Sequence, residues 1–313
     1  VIYPSSRGVG TGNLRSAERW GRELEAAGHE VRVGECEVTG CCDLLVVLHA
    51  VRGREAIAQF KARQPQGRVV VVITGTDIYG ELSEALLSTM QDADRLVVLQ
   101  PKAMERIPPE FHEKTRVIFQ GARAMAGPVK KKSTDPFQVC VVGHLRAVKD
   151  PLRAAEAAHL LPADSKVVVK HAGALLDLDF LESVHAENHE NPRDDWLGEL
   201  PNPAVRKLRA ESQLMVISSW QVGGAGVVGE SIVEGTPVLA ARSEGLVGLL
   251  GEDYGGYFEP GNTAALARLL HRAESEDGFV AGLWSQCERL AAQFDPSREQ
   301  DSWKNLIREF RTA

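Results

Sequence analysis

Short apolar runs alternate with amphipathic stretches along the whole chain. Residues 1–3, 43–48, 68–73 and 95–99 read as strands. The runs at 43–48 and 68–73 lack the in-out alternation of a strand with one wet face, so burial on both faces of a parallel sheet is expected. Residues 29–33 and 117–119 are also expected as strands. Between them, Leu14, Ala17, Trp20 and Leu24 recur at helical spacing behind Asn13, a good N-cap. Further helices are expected near 53–63 and 80–91. After a polar, basic stretch at 124–136 the pattern restarts. Strands are expected at 137–142, 167–169, 196–198, 214–217 and 237–240. Helices are expected at 175–187, 203–211, 262–274, 278–293 and 298–312. Asp150 is placed as an N-cap and Pro151 as the first helical residue behind it.

Two strand–helix series joined by a linker predict two doubly wound, Rossmann-like α/β domains facing across a cleft. The expected boundaries are 1–124, a linker at 125–136, a second domain at 137–295, and a C-terminal helix at 296–313 packing back on the first domain. Ligands of such sheets sit beyond the carboxyl ends of the strands. The loop with Gly8, Gly10 and Gly12, the run Thr74 to Asp77, the run Gly143 to Lys149 and the glycines at 223, 224 and 226 all fall there.

Composition changes this picture little. The chain has 313 residues, 43% hydrophobic and 25% charged, enough for real cores. A net charge of -7 argues against a general nucleic-acid or anionic-lipid binder. Lys130, Lys131 and Lys132 form the one basic block and read as solvated linker. No apolar run is long enough for a membrane span. The first residues read as a strand rather than as a signal peptide. With no starting methionine, the numbering is expected to be that of a trimmed chain. Five cysteines, at 36, 41, 42, 140 and 287, show no Cys-x-x-Cys spacing, so neither a disulfide framework nor a thiolate metal site is indicated, and a reducing cytoplasm fits.

The chemistry concentrates at 218–237. A strand runs into Gly223, Gly224 and Gly226, and a helix follows with Glu230 and Glu234 on one face, ending at Gly235 before Pro237. A helix N-terminus behind glycines holds phosphate well, because free N–H groups and the positive helix end point at the anion; a tight packing turn accounts for the same glycines. Arg146 and Lys149, between a strand and a helix, suit a diphosphate leaving group whose charge grows as its bond breaks. Glu230 suits a ribose. As surface residues, all three need no role.

These features resemble the family-4-like glycosyltransferases of the two-domain GT-B fold, with their Gly-Arg-Leu-x-x-x-Lys and Glu-x7-Glu motifs. Gly143, Leu145 and Lys149 match the first, and Glu230 is the second glutamate of the other. The chain is most similar to the selenosugar synthases of selenoneine biosynthesis. That resemblance runs almost end to end. It includes Gly12-Asn13, Leu48-His49-Ala50, Thr74-Gly75-Thr76-Asp77-Ile78-Tyr79, Gly143 through Pro151, and Trp196 through Pro201.

The resemblance implies attack by the selenium of selenophosphate on the anomeric carbon of a UDP-sugar, either UDP-N-acetylglucosamine or UDP-glucose. UDP leaves, the Se–P bond is hydrolysed, and a 1-selenosugar and phosphate are released. No cofactor or metal is implied. The implied donor residues are Gly143, Arg146 and Lys149, with Gly223 and Gly224 on the diphosphate, Glu230 on the ribose, and Gly173, Trp196 and Leu197 around the uracil. The acceptor candidates are Gly12, Asn13, His49, Arg52, Thr76 and Asp77. Arg146, Lys149 and Asp77 are the catalytic candidates, with Asp77 ordering a water for Se–P cleavage.

One departure stands out. The first glutamate of Glu-x7-Glu would be residue 222, which is Val222, and Gly226 replaces an asparagine. Losing a polar partner of the donor sugar costs about 2–4 kcal/mol, or about 10²–10³ in rate. A nucleotide-sugar binder with weakened catalysis and a different UDP-sugar transferase therefore stay open. Other readings are weaker. Gly8-x-Gly10-x-Gly12 lacks dinucleotide spacing. Asp92/Asp94 and Asp177/Asp179 lie at helix edges, and His185/His189 lack a third ligand.

Overall fold

The computed structural model describes residues 1–4, 12–35, 41–75, 77–124 and 135–310, without the side chain of Asn188. Gly8, Gly10, Cys36, Thr76, Lys130, Lys131, Lys132 and most of the expected linker lie outside the described residues. The chain divides into two compact units. One is Val1–Gly121 with Val222–Gly226 and Asp295–Ala313; the other is Ala122–Gln221 with Val227–Phe294.

The first unit holds β1 (Ile2–Tyr3), α1 (Gly12–Ala26), β2 (Gly34–Glu35), β3 (Leu44–Leu48), α2 (Arg54–Arg63), β4 (Arg68–Ile73), α3 (Glu84–Asp92), β5 (Arg95–Val98) and β6 (Thr115–Val117). The strands form one parallel sheet in the order β2-β1-β3-β4-β5-β6. Alternate residues of its central strands feed opposite layers. Val47, Val69, Val71 and Val98 pack with Ile57 and Phe60 of α2 and Leu86 and Met90 of α3. Val46, Val70, Val72 and Val97 pack with Trp20 of α1 and with Trp303 and Leu306 from the C-terminal end of the chain. This two-sided burial is why the strands read as continuous apolar runs.

The second unit holds β7 (Phe137–Val142), α4 (Arg153–His159), β8 (Val167–Ala172), α5 (Leu181–Glu190), β9 (Asp194–Trp196), α6 (Asn202–Glu211), β10 (Leu214–Ile217), α7 (Gly226–Val233), β11 (Val238–Ala241), α8 (Glu244–Leu250), β12 (Tyr257–Phe258), α9 (Thr263–Ser275) and α10 (Phe279–Leu290). Its parallel sheet runs β12-β11-β10-β7-β8-β9. The last helix, α11 (Pro296–Glu309), belongs to the first unit. There Glu299 is buried and accepts from Trp20 Nε1 at 2.6 Å, Arg19 Nη2 at 2.9 Å and the Gly121 N–H at 2.9 Å.

Several elements differ from expectation. Residues 29–33 form no strand; β2 begins at Gly34, at the sheet edge, and Val33 is exposed. The last strand of the first sheet and β9 each sit two residues earlier than expected. The helix expected at 175–187 opens with a 3-10 turn, so α5 starts only at Leu181. Neither α8 nor β12 was anticipated.

Candidate functional site

The order of the second sheet turns between β7 and β10, which lie side by side while their connections lead away in opposite directions. That is where an open parallel sheet offers a crevice for a ligand. Beyond β7 the chain passes Gly143 and Arg146, makes a 3-10 turn at Ala147–Lys149, and reverses at Asp150 with φ 48°. The end of β10 holds this turn. Ser218 Oγ lies 3.0 Å from the Lys149 carbonyl and 2.8 Å from that of Asp150, and the Trp220 N–H donates to Val148 O at 3.0 Å.

Asp150 is not the expected N-cap. Its carboxylate grips Arg153 at two points, 2.7 and 3.0 Å, and α4 begins at Arg153 instead of Pro151. A carboxylate occupied by a guanidinium cannot also turn to the helix N–H groups.

Lys149 is partly exposed by area, yet its ammonium sits deep. Burial, with Arg146 of the same sign beside it, lowers its pKa to about 8. Both influences oppose its charge.

The neighbouring strand ends form one hydrogen-bonded rim. Burial lowers His171 to about 4, so the ring is neutral and its Nε2–H donates to Gly143 O at 2.8 Å. The Leu197 N–H donates to His171 O at 2.8 Å, and Trp196 Nε1 donates to Gly173 O at 2.9 Å. A Cβ at Gly173 would lie 2.5 Å from the Gly143 carbonyl carbon, so only glycine permits this approach. Gly143, Gly173, Trp196 and Leu197 are thus brought together.

Glu230 sits on α7 and is held by a group the sequence reading missed. Arg209 of α6 is 1% exposed. Its Nε and Nη2 bond Glu234 at 2.7 and 3.3 Å, and its Nη1 lies 2.9 Å from Glu230 Oε2. Burial alone would lower the pKa of Arg209, but the Glu234 hydrogen bonds and both carboxylate charges outweigh it and hold the guanidinium above its ordinary range. The signal was present: Val205, Leu208 and Arg209 share the buried face of α6, and a charge on a core face demands a partner.

In the first unit the sheet order turns between β1 and β3. His49 follows β3 at φ 73°. Burial lowers its pKa, and its Nδ1 accepts the Arg52 N–H at 3.4 Å, so the ring is neutral. The 3.8 Å separation between Nδ1 and Asp77 is therefore not an ion pair. Asp77 is buried. One oxygen accepts the Ala50 N–H at 2.9 Å, and the other accepts those of Thr74 and Gly75 at 2.9 and 2.8 Å. Three backbone N–H groups thus occupy both Asp77 oxygens, which tie the loop after β3 to the loop after β4. Arg52 is exposed. Gly12 and Asn13 open α1, where Ser16 Oγ donates to Gly12 O and receives Gln120 Nε2 at 2.7 Å.

The glycine turn at Val222–Gly226 clusters with the first unit. A Cβ at Gly75 would lie 2.7 Å from Gly223 Cα, and one at Gly224 would lie 2.8 Å from Leu99 Cβ. The backbones meet so closely that only glycines fit. Val222 is 4% exposed.

The other metal-like pairs have internal roles. Asp94 accepts from Arg68 and the Val69 N–H, Asp177 caps its turn, and His185 meets Trp196 edge-on at 6.5 Å. Among the described residues no group of three or more His, Cys, Asp or Glu is placed to hold a metal, and no helix is long and apolar enough to cross a membrane.

Residues 126–292, just over half of the chain, match the family described as glycosyl transferases group 1. No curated protein matches the chain. Among solved structures, it resembles the Anabaena protein HepE in complex with UDP and glucose: 16% identity over 98% of this chain and 99% of that one, TM-score 0.76. A sucrose-phosphate synthase from Thermosynechococcus elongatus gives 16% identity over 99% and 98%, TM-score 0.77. A glycosyltransferase from Rickettsia africae gives 11% over 98% and 97%, TM-score 0.76. The two six-stranded parallel sheets and these likenesses establish two Rossmann-like domains of the GT-B fold.

Proposed function

The chain belongs to the glycosyl transferases group 1 family, and we propose that it moves a sugar from UDP-N-acetylglucosamine or UDP-glucose to the selenium of selenophosphate. The carrying observation is the cation pair at the end of β7. Lys149, lowered to about 8 by burial and by Arg146, gains most from a ligand that brings negative charge. A diphosphate there is stabilised more as it leaves, which lowers the barrier rather than merely binding the donor. HepE was crystallised with UDP-glucose, which supports a UDP-sugar donor here. The selenium acceptor rests on the end-to-end resemblance to selenosugar synthases.

The chemistry balances with these residues. A selenium lone pair forms the C1–Se bond while the C1–O bond breaks, and its electrons leave on UDP beside Arg146 and Lys149. Water then adds its oxygen to phosphorus as the Se–P bond breaks, and a proton goes to selenium. Selenophosphate is already an anionic, soft nucleophile, so no strong base is required. Glu230 takes the ribose, and Gly173, Trp196 and Leu197 flank the base. In the first unit, Gly12, Asn13, His49 and Arg52 receive the acceptor, while Asp77 positions the loop of His49 and Arg52 through the Ala50 N–H.

Val222 favours a second reading. It is buried and cannot accept a hydrogen bond from a sugar hydroxyl, as expected of a nucleotide-sugar binder with weakened catalysis. Mass spectrometry separates the two. Incubation with selenophosphate and each UDP-sugar is expected to give a sugar ion with the selenium isotope pattern together with free UDP. UDP release without selenium in the product points to another acceptor. Donor binding without turnover leaves the binder.

A further inference from the structure

We infer that Arg209 is a positioning residue for donor recognition: from inside the second unit it fixes the rotamer of Glu230, and so sets discrimination for the ribose hydroxyls of the nucleotide. The inference rests on the UDP-sugar reading above.

Glu230 and Glu234 lie four residues apart on and just beyond α7, so their side chains leave the helix on one side. Their environments differ sharply. The Glu234 side chain is 1% exposed, and its two oxygens take Arg209 Nε at 2.7 Å, Arg209 Nη2 at 3.3 Å and Arg206 Nε at 2.9 Å. The Glu230 side chain is 31% exposed, and Arg209 Nη1 stands 2.9 Å from its Oε2 as an ion pair without hydrogen-bond geometry, so the arm holds Glu230 by charge. A guanidinium is planar and rigid. Once Nε and Nη2 are seated on Glu234, the position of Nη1 is set. Arg209 is anchored from its own backbone as well, since Thr236 Oγ1 donates to Arg209 O at 2.7 Å. Glu234 is therefore the anchor, Arg209 the rigid arm, and Glu230 the carboxylate the arm holds at the helix surface.

A carboxylate has about four lone-pair sites. One contact to Arg209 leaves enough acceptor capacity for two vicinal hydroxyls, in a rotamer fixed before the ligand arrives. Without the arm, an exposed glutamate samples several rotamers, and each binding event must order it again.

The test is equilibrium titration with UDP and with 2′,3′-dideoxy-UDP on the wild type, Arg209→Lys, Arg209→Met and Glu230→Gln. The wild type should prefer UDP by about tenfold to a hundredfold, the range for hydrogen bonds to a charged acceptor. Arg209→Met should bring the ratio close to that of Glu230→Gln while leaving affinity for the dideoxy nucleotide near wild type. Arg209→Lys, which keeps the charge but not the planar arm, should give an intermediate ratio and serves if Arg209→Met does not fold. An unchanged UDP-to-dideoxy ratio in both Arg209 variants, whatever happens to overall affinity or melting temperature, overturns the positioning role and leaves the donor reading intact. A wild type that binds neither nucleotide overturns the donor reading and this inference with it.

Discussion

The carboxyl ends of the two sheets carry similar inventories of polar side chains and treat them in opposite ways. In the first unit, Asp77 is enclosed by three backbone N–H groups, and the buried His49 is kept neutral with Nδ1 accepting from the Arg52 N–H. In the second unit, Lys149 is buried beside Arg146, a charge of its own sign. A satisfied polar group supports the fold, whereas a sunken charge beside another of its own sign carries a cost that an anionic ligand relieves. That contrast is why we propose the donor chemistry for the second unit and treat Asp77 of the first unit as a loop support.

The largest effect should come from Lys149→Met. Losing two charge-assisted hydrogen bonds to a diphosphate should weaken UDP binding about 10²-fold by calorimetric titration. The same change removes a disfavoured buried charge, so the melting temperature should rise. Asp77→Asn should do the reverse. An amide NH2 facing a backbone N–H leaves a buried donor unpaired, at a cost of about 2 kcal/mol, and thermal melting should show the loss while UDP affinity holds. If Lys149→Met destabilised the chain, or Asp77→Asn abolished UDP binding with stability intact, the contrast between the units would fail.

How much of this was legible in the chain follows the same physics. β4, β7 and β10 match their apolar runs residue for residue, because strands buried on both faces have no other pattern to adopt. Edge elements were harder. At 29–33 the apolar residues are spaced for a strand, but the chain lies at the sheet margin and only Gly34–Glu35 pairs with β1. Asp150-Pro151 carried a sound capping signal, but Asp150 takes a left-handed φ of 48° and its carboxylate goes to Arg153 three residues on, a competing local pair. Gly143, Lys149, Gly173 and Trp196 could be placed at neighbouring strand ends from the sequence, because the strands β7, β8 and β9 end before or at them. Arg209 is not legible beside Glu230 in the sequence, since it lies on α6, 21 residues earlier. A charge on the buried face of α6 implies a carboxylate somewhere, but only the tertiary packing identifies Glu230 and Glu234 as its partners.

The smallest effect is the most specific. In the nucleotide-free protein the Lys149 ammonium titrates near 8, and a bound diphosphate favours the charged form and raises that value. Between the two values, binding takes up a proton, so affinity must fall as pH rises; well below 8 both states are charged and affinity is flat with respect to this group. The nucleotide phosphates are themselves fully ionised above 8, so they do not offset the loss. UDP affinity should therefore fall by up to about tenfold per pH unit above 8, the limit for one coupled proton. Lys149→Arg, whose guanidinium stays charged throughout, should flatten the profile. His49 adds no slope there, since burial holds it neutral across the same window. A wild-type affinity that stays level from pH 7 to 10 would mean that Lys149 does not meet the diphosphate, and the asymmetry between the two sheets would then have to be explained without an anion.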